Sequence, residues 1–170
     1  MHETPDDLIA LQELIDRSYA GGGPHLLRIH TPERRLTADQ VVQRLQGMCL
    51  LTLATAGATG RPYTGPVDGI FYRGAFHFGS APDSLRLRHI GERPEVSATY
   101  LPAEELAIIA HGHAELVDVR DPLNAGFRET LLGIYVPRYG ASWETDFLDS
   151  GPQYARIEAD RLLTFSMPSG

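Results

Sequence analysis

A chain of 170 residues sets a single domain as the expectation and is long enough to bury a sizeable core. A hydrophobic content of 42% and a charged content of 22% are the ordinary balance of a soluble globular protein, and a net charge of −7 argues against a nucleic-acid scaffold held through backbone phosphates. All fifteen basic residues are Arg, so any phosphate clamp is built from Arg, backbone N–H or hydroxyl groups, and no Lys Schiff base can form. The one cysteine, Cys49, excludes an intrachain disulfide and a multi-Cys metal site, and its neighbours Met48 and Leu50 mark it as a buried thiol. No apolar run approaches the ~20 residues that span a bilayer. The first residues, MHETPDDLIALQEL, carry acids where a signal peptide carries basic residues, so a cytoplasmic location away from membranes is expected.

Residues 5–20 read as a helix, with Leu8, Leu11 and Ile15 on one face, Leu14 beside them, and Asp6 and Asp7 in the first turn. Gly21-Gly22-Gly23-Pro24 ends it, and His25 to Pro32 reads as an extended connector. The first 36 residues are therefore expected to form an extension, and residues 37–170 the main domain. Thr37-Ala38-Asp39-Gln40 matches a capping box that opens a helix through Val41, Val42 and Leu45. Strands follow at 48–56 and 62–72, the second marked by Pro62, Gly65, Pro66 and Gly69 as an edge or bulged strand. Arg73-Gly74 turns into a strand over 75–79, a short helix over 83–90, and strands over 95–101 and 106–119. Asp121-Pro122 opens a helix with Leu123, Phe127, Leu131 and Tyr135 at helical spacing. A loop over 136–152 and a final strand over 154–167 complete the chain. About six closely spaced strands with peripheral helices predict a mainly β fold, a small antiparallel barrel.

The short helix carries the clearest chemistry. Ser84 stands at its start, just after a strand ends, and Arg86 and Arg88 follow in its first turns. Free N–H groups at a helix start, a hydroxyl and guanidinium groups can all face one phosphate. The plainer reading makes Ser84 a helix cap and Arg86 a solvated charge. His111 and His113 flank Gly112 on a strand and share a face, but with no third ligand nearby no metal site is expected. Tyr139 and Trp143 either anchor the late loop or cover a bound ring.

The run GRPYTGPVDGIFYRGAFHFGSAPDSLRLRHIGERPEVSATY resembles the core of the pyridoxamine 5′-phosphate oxidase-like proteins, the flavin-binding split barrels. The residues that carry the likeness are Gly60 and Pro62, Pro66, Phe76 and Phe78, Ser84 and Arg86, Pro94 and Val96, and Gly112 and Ala114, within residues 37–167. The resemblance implies a six-stranded antiparallel split β-barrel, a homodimer with FMN at the subunit interface, and a small-molecule substrate. It also implies roles residue by residue. Ser84 and Arg86 match positions that bind the FMN phosphate, with Ser80 close by. Pro66, Val67 and Asp68 match the strand that lies along the flavin ring. Arg61 and Arg88 are further candidates.

The chain departs from the oxidase that names the family. Thr64-Gly65 replaces a basic residue, Leu85-Arg86 replaces Arg-Lys, and the C-terminal Arg-x-His and Arg-Leu-x-Pro signatures are absent from RLLTFSMPSG. Activity on pyridoxamine phosphate is therefore not expected. Two alternatives stay open. One is a reductase using the deazaflavin F420, whose longer anionic tail would draw on Arg34, Arg35, Arg61 and Arg73. The other is a non-catalytic flavin- or haem-binding module, with His77, His111 or His113 as haem ligands.

Overall fold

The protein is described here by a computed structural model covering residues 2–167; Met1 and residues 168–170, the outer ends of the two expected segments, lie outside the described residues. Six strands close into one antiparallel barrel in the order β1-β2-β3-β6-β5-β4. They are β1 Met48–Ala56, β2 Pro62–Tyr72, β3 Ala75–Ser80, β4 Glu95–Ala103, β5 Leu106–Val117 and β6 Gln153–Ser166. Alternation drives closure: Leu51 and Leu53, Val96 and Ala98, and Ile108 and Ala110 point into one buried core, while their neighbours in sequence face out.

β2 is neither the edge strand nor the bulged strand expected from its Pro and Gly residues: it lies between β1 and β3 in the closed barrel. Its register with β1 runs unbroken from Met48↔Ile70 to Ala56↔Pro62, whereas β3 pairs only with Gly69 to Tyr72. Residues 62–68 thus keep one backbone edge free of strand partners, which is where Pro62 and Pro66 are tolerated. The bulge lies instead in β5, where the register with β6 shifts between His111 and Gly112.

The N-terminal helix α1, Pro5–Ala20, is closed by a Thr4–Asp7 capping box and puts Leu11, Leu14, Ile15 and Tyr19 into the barrel's own core cluster. Burying each of these side chains is worth about 2 kcal/mol. The helix also covers the part of β6 that β3 does not reach. Leu162 N–H donates to Ser18 Oγ at 2.8 Å, and Thr164 N–H donates to Tyr19 Oη at 2.8 Å, while Tyr19 Oη donates to the Thr164 carbonyl at 2.6 Å. Side chains of a helix thereby satisfy backbone groups that would otherwise form an exposed sheet edge.

The expected extended connector over 25–32 is instead helix α2, Pro24–Ile29, followed by a 3₁₀ turn at Pro32–Arg34. Pro24, read as a terminator of the preceding helix, sits at the first position of the next, where its missing N–H costs nothing. Helix α3, Ala38–Arg44, has the Thr37–Gln40 capping box. Helix α4, Leu85–Glu92, begins at the Ser84 cap. Helix α5, Ala125–Tyr139, runs further than expected, through Pro137. That proline lies in the last turn, where one lost backbone bond does not stop the helix. The remaining part of the expected loop contains a π-helical turn, Glu144–Leu148.

α5 and this turn lie on the outside of the barrel and form a second core with Ile70 and Tyr154. His77, on β3, is enclosed there: its ring lies 4.3 Å from that of Phe127, and Nδ1 is 3.1 Å from the Ala75 carbonyl. Burial lowers its pKa from 6.5 to about 3, helped by the nearby Arg156 charge. The folded state thus refuses a proton that the unfolded chain accepts below pH 6.5. Stability is unaffected by this group above pH 6.5 and falls as pH drops from 6.5 toward 3, by about 1.4 kcal/mol per pH unit. Urea unfolding between pH 7.5 and pH 4.5 should show that slope, and His77→Gln should flatten it; an identical slope in the variant would assign the acid sensitivity elsewhere.

Candidate functional site

A cavity of about 990 Å³ opens on the outer face of the barrel, between β2, β3 and β6 on one side and α5 with the π-helical turn on the other. Four of the residues expected in a cofactor site from sequence line it directly: Pro66, Val67, Asp68 and Ser80, and Arg86 joins them from α4. Ser84 is tied to the same corner, since Ser80 Oγ donates to Ser84 Oγ at 3.0 Å. Val67 is 5% exposed and belongs to the barrel core, so it offers the cavity backbone, while Pro66 and Asp68, on the opposite face of the strand, offer side chains.

The polar corner is built by local geometry. Ser84 caps α4 by accepting from Leu87 N–H at 3.4 Å. The cap leaves the N–H groups of Leu85 and Arg86 at the helix start without intrahelical partners. Arg86 Nη2 donates to the Pro66 carbonyl at 3.2 Å, which holds the guanidinium across the free edge of β2. Gly65 leaves room beside that bond: a Cβ there would lie 3.3 Å from Arg86 Nη2, and the guanidinium would have to shift by a few tenths of an ångström. One bond to a carbonyl uses one of five guanidinium N–H donors. Ser80, the Arg86 guanidinium and the start of α4 therefore gather at one corner, with Ser84 just behind Ser80, and this donor set fits a phosphate group.

Arg61 and Arg88 lie apart from it. Arg61 sits over the Tyr63 ring at 5.5 Å, in the β1–β2 hairpin, and Arg88 donates to the Asp83 carbonyl at 3.3 Å. Neither lines the cavity. The other basic residues considered for a longer anionic tail are engaged near the N-terminus. Arg35 lies over Tyr19 at 4.1 Å, Arg34 over Phe165 at 5.6 Å, and Arg73 pairs with Asp7.

The opposite wall is aromatic. Tyr139, Tyr135, Trp143 and Phe147 stack in that order, with centroid separations of 6.1, 4.7 and 5.5 Å and interplanar angles of 16°, 22° and 28°. Arg128 secures the turn that carries the last two rings, bonding Glu144 at 2.7 Å and Asp149 at 2.8 Å. Tyr154 enters from β6 opposite Gly79 and packs closely on it: a Cβ there would stand 3.0 Å from the ring, which would have to shift by a few tenths of an ångström. Burial, reinforced by the Asp68 charge, pushes the Tyr154 hydroxyl up to about 12 and raises Tyr135 as well, so both remain phenols at neutral pH. Tyr135, Phe147 and Tyr154 were not expected as site residues from sequence. The i, i+4 spacing of Tyr135 and Tyr139 is the one local signal that could have placed two rings on one helix face.

The histidines considered as ligands are dispersed. His77 is enclosed beneath α5, His111 Nδ1 lies 2.8 Å from Ser97 Oγ, and His113 Nε2 lies 3.4 Å from Glu115. Among the described residues no group of three or more His, Cys, Asp or Glu side chains could hold a metal ion. Burial pushes the Cys49 thiol up to about 11, so it is no nucleophile at neutral pH. No described helix is long and apolar enough to cross a membrane.

No family model matches the sequence, and no curated protein matches it. Solved structures do match. An FAD-binding protein from Mesorhizobium loti superposes with a TM-score of 0.58 at 17% identity, over 79% of this chain and 98% of that one. The haem storage protein HutZ from Vibrio cholerae gives 0.59 at 17% identity, over 75% and 93%. A Listeria innocua protein with a provisional assignment as pyridoxamine 5′-phosphate oxidase gives 0.56 at 10% identity, over 74% and 95%. The chain spans 52% of the length of an Agrobacterium tumefaciens protein of unknown function that it also matches. Identities this low speak to architecture. The closed six-stranded antiparallel barrel with peripheral helices is the split-barrel fold of flavin-binding, haem-binding and pyridoxamine 5′-phosphate oxidase-like proteins.

Proposed function

We propose that the cavity binds FMN and that the protein is a flavin-dependent oxidoreductase acting on a small molecule. The observation that carries this reading is the meeting of Arg86, Ser80 and Ser84 at one corner of a largely aromatic cavity of about 990 Å³. Such a cavity suits a flat ring with one anionic tail. Arg86 and the start of α4 would hold the phosphate through charge-assisted bonds. The free edge of β2 at 62–68 would offer backbone groups to the polar rim of the ring, and Trp143 and Tyr135 would exclude water from its surroundings. When bound, the flavin supplies the redox chemistry, accepting hydride from a reduced donor and passing electrons to an acceptor. FMN is favoured over F420 because Arg34, Arg35 and Arg73, which a longer anionic tail would need, are engaged far from this corner.

The same reading makes the protein a homodimer with the cofactor at the interface. It is supported by Leu50, 63% exposed at the cavity mouth, and Leu101, 61% exposed on the adjoining outer face of β4. The two strands pair at Leu51↔Tyr100, which sets these leucines side by side. Light scattering should give a dimer, and Leu50→Arg with Leu101→Arg should give a folded monomer that binds FMN more weakly; a wild-type monomer would sink the shared-site picture. The cofactor itself is tested by the absorption spectrum after adding FMN, F420 or haemin and removing the excess. A retained two-banded flavin spectrum supports the proposal. A retained single deazaflavin band or a Soret band, with no flavin retained, overturns it.

A further inference from the structure

Asp68 is the one acidic side chain lining the cavity. Among the described residues it makes no hydrogen bond and no ion pair. Arg86, the one basic side chain lining the cavity, is directed instead to the Pro66 carbonyl. Two hydroxyls, of Tyr135 and Tyr154, line the same cavity, and neither has a hydrogen-bond partner among the described residues. A carboxylate and two phenol oxygens are thus presented to one space whose other walls are Trp143 and Phe147. Asp68 is exposed, so water answers its charge in the open cavity; once a ligand displaces that water, an unpaired carboxylate beside aromatic side chains is costly unless a positive group arrives with the ligand. An anionic cofactor does not supply that group, because its charge is answered by Arg86 and α4.

We infer that the cavity takes, beside the cofactor, a flat aromatic organic cation whose N–H groups donate to Asp68, with Tyr135 and Tyr154 as additional acceptors. The inference rests on the proposed function in treating this cavity as the place where chemistry occurs. Asp68 selects by charge, and the rings select by shape. A neutral molecule of the same outline leaves the carboxylate unpaired, and an anionic one meets it with like charge. Planar amidinium or protonated heteroaromatic groups suit the site best, since a fork of N–H donors matches two carboxylate oxygens. Aromatic faces add attraction for the same charge.

Benzamidinium, benzamide and benzoate share one outline and carry positive, zero and negative charge, so they isolate the role of charge. Each is titrated calorimetrically into the wild type and into Asp68→Asn, with and without FMN. Benzamidinium should bind about tenfold tighter than benzamide, and benzoate no tighter than benzamide once FMN occupies the Arg86 corner. Asp68→Asn should bring benzamidinium and benzamide to within about twofold of each other. Asp68 is exposed on the strand surface, so the variant keeps the fold. Equal binding of benzamidinium and benzamide to the wild type, or a preference for the cation that survives Asp68→Asn, overturns the inference. FMN affinity is read separately, through Arg86→Ala. The flavin reading can therefore fail while charge selection holds, and the reverse.

Discussion

Arg86→Ala should weaken FMN binding by about tenfold to a hundredfold, the equivalent of about 1.5–3 kcal/mol for a charge-assisted bond. No other basic side chain lines the cavity, and the chain has no Lys to substitute for it. The fold should hardly notice. The guanidinium is only half-buried and makes one 3.2 Å bond to the Pro66 carbonyl, so urea unfolding should change by less than about 1 kcal/mol. Arg86→Lys should recover part of the affinity, because it restores the charge without the fork of donors. The matched variant Arg88→Ala should leave FMN affinity within about twofold, since Arg88 faces the Asp83 carbonyl rather than the cavity. Fluorescence titration with FMN checks all three. Equal losses in Arg86→Ala and Arg88→Ala would mean a diffuse electrostatic effect and no dedicated corner.

Gly112→Ala should be among the most destabilising single changes in the barrel. A Cβ on Gly112 would stand 2.0 Å from the Glu158 carbonyl oxygen and 2.8 Å from the Ala159 Cα. Both are backbone atoms of β6, so no side-chain rotation relieves the clash. Gly112 sits where the β5–β6 register shifts, and separating the strands there would loosen pairing over a ladder that runs from Leu106↔Ser166 to Val117↔Tyr154. The expected loss is about 3 kcal/mol or more. For a chain of this size that lowers Tm by roughly 6–12 °C. Differential scanning calorimetry reads it directly. A change of under about 1 kcal/mol would mean that the strands part at this point without cost.

Much of this architecture is legible in the sequence because its signals are local. The Thr37–Gln40 capping box, the Arg73-Gly74 turn and the alternation through Leu51 and Leu53 each depend on neighbours a few residues away. Ser84 and Arg86 are legible for the same reason: a cap and a basic residue within one helical turn mark the start of α4 as a candidate phosphate corner, although the same pair also reads as a plain cap and a solvated charge. The elements that escaped are those decided by distant contacts. Pro24 reads as a stop and proves to be a start, because both uses share one residue type. Pro137 falls in the stretch that reads as a loop and is carried within the last turn of α5. Ser18 and Tyr19 have no local mark of their role, which is to satisfy the β6 backbone at Leu162 and Thr164. The site divides along the same line. Asp68, Tyr135 and Tyr154 come from β2, α5 and β6, and only the closed barrel brings them to one cavity.

The chain carries its own reporter for a flavin in this cavity. Trp143 is the sole tryptophan, and it lines the cavity within the aromatic stack. A flavin bound there would lie within a few ångströms of the indole and quench it. Titrating FMN while exciting only tryptophan should therefore give saturable quenching with one FMN per protomer, weakened in step with retained flavin absorbance in Arg86→Ala. Quenching that rises linearly with FMN and never saturates, or that is the same in wild type and Arg86→Ala, would contradict the account.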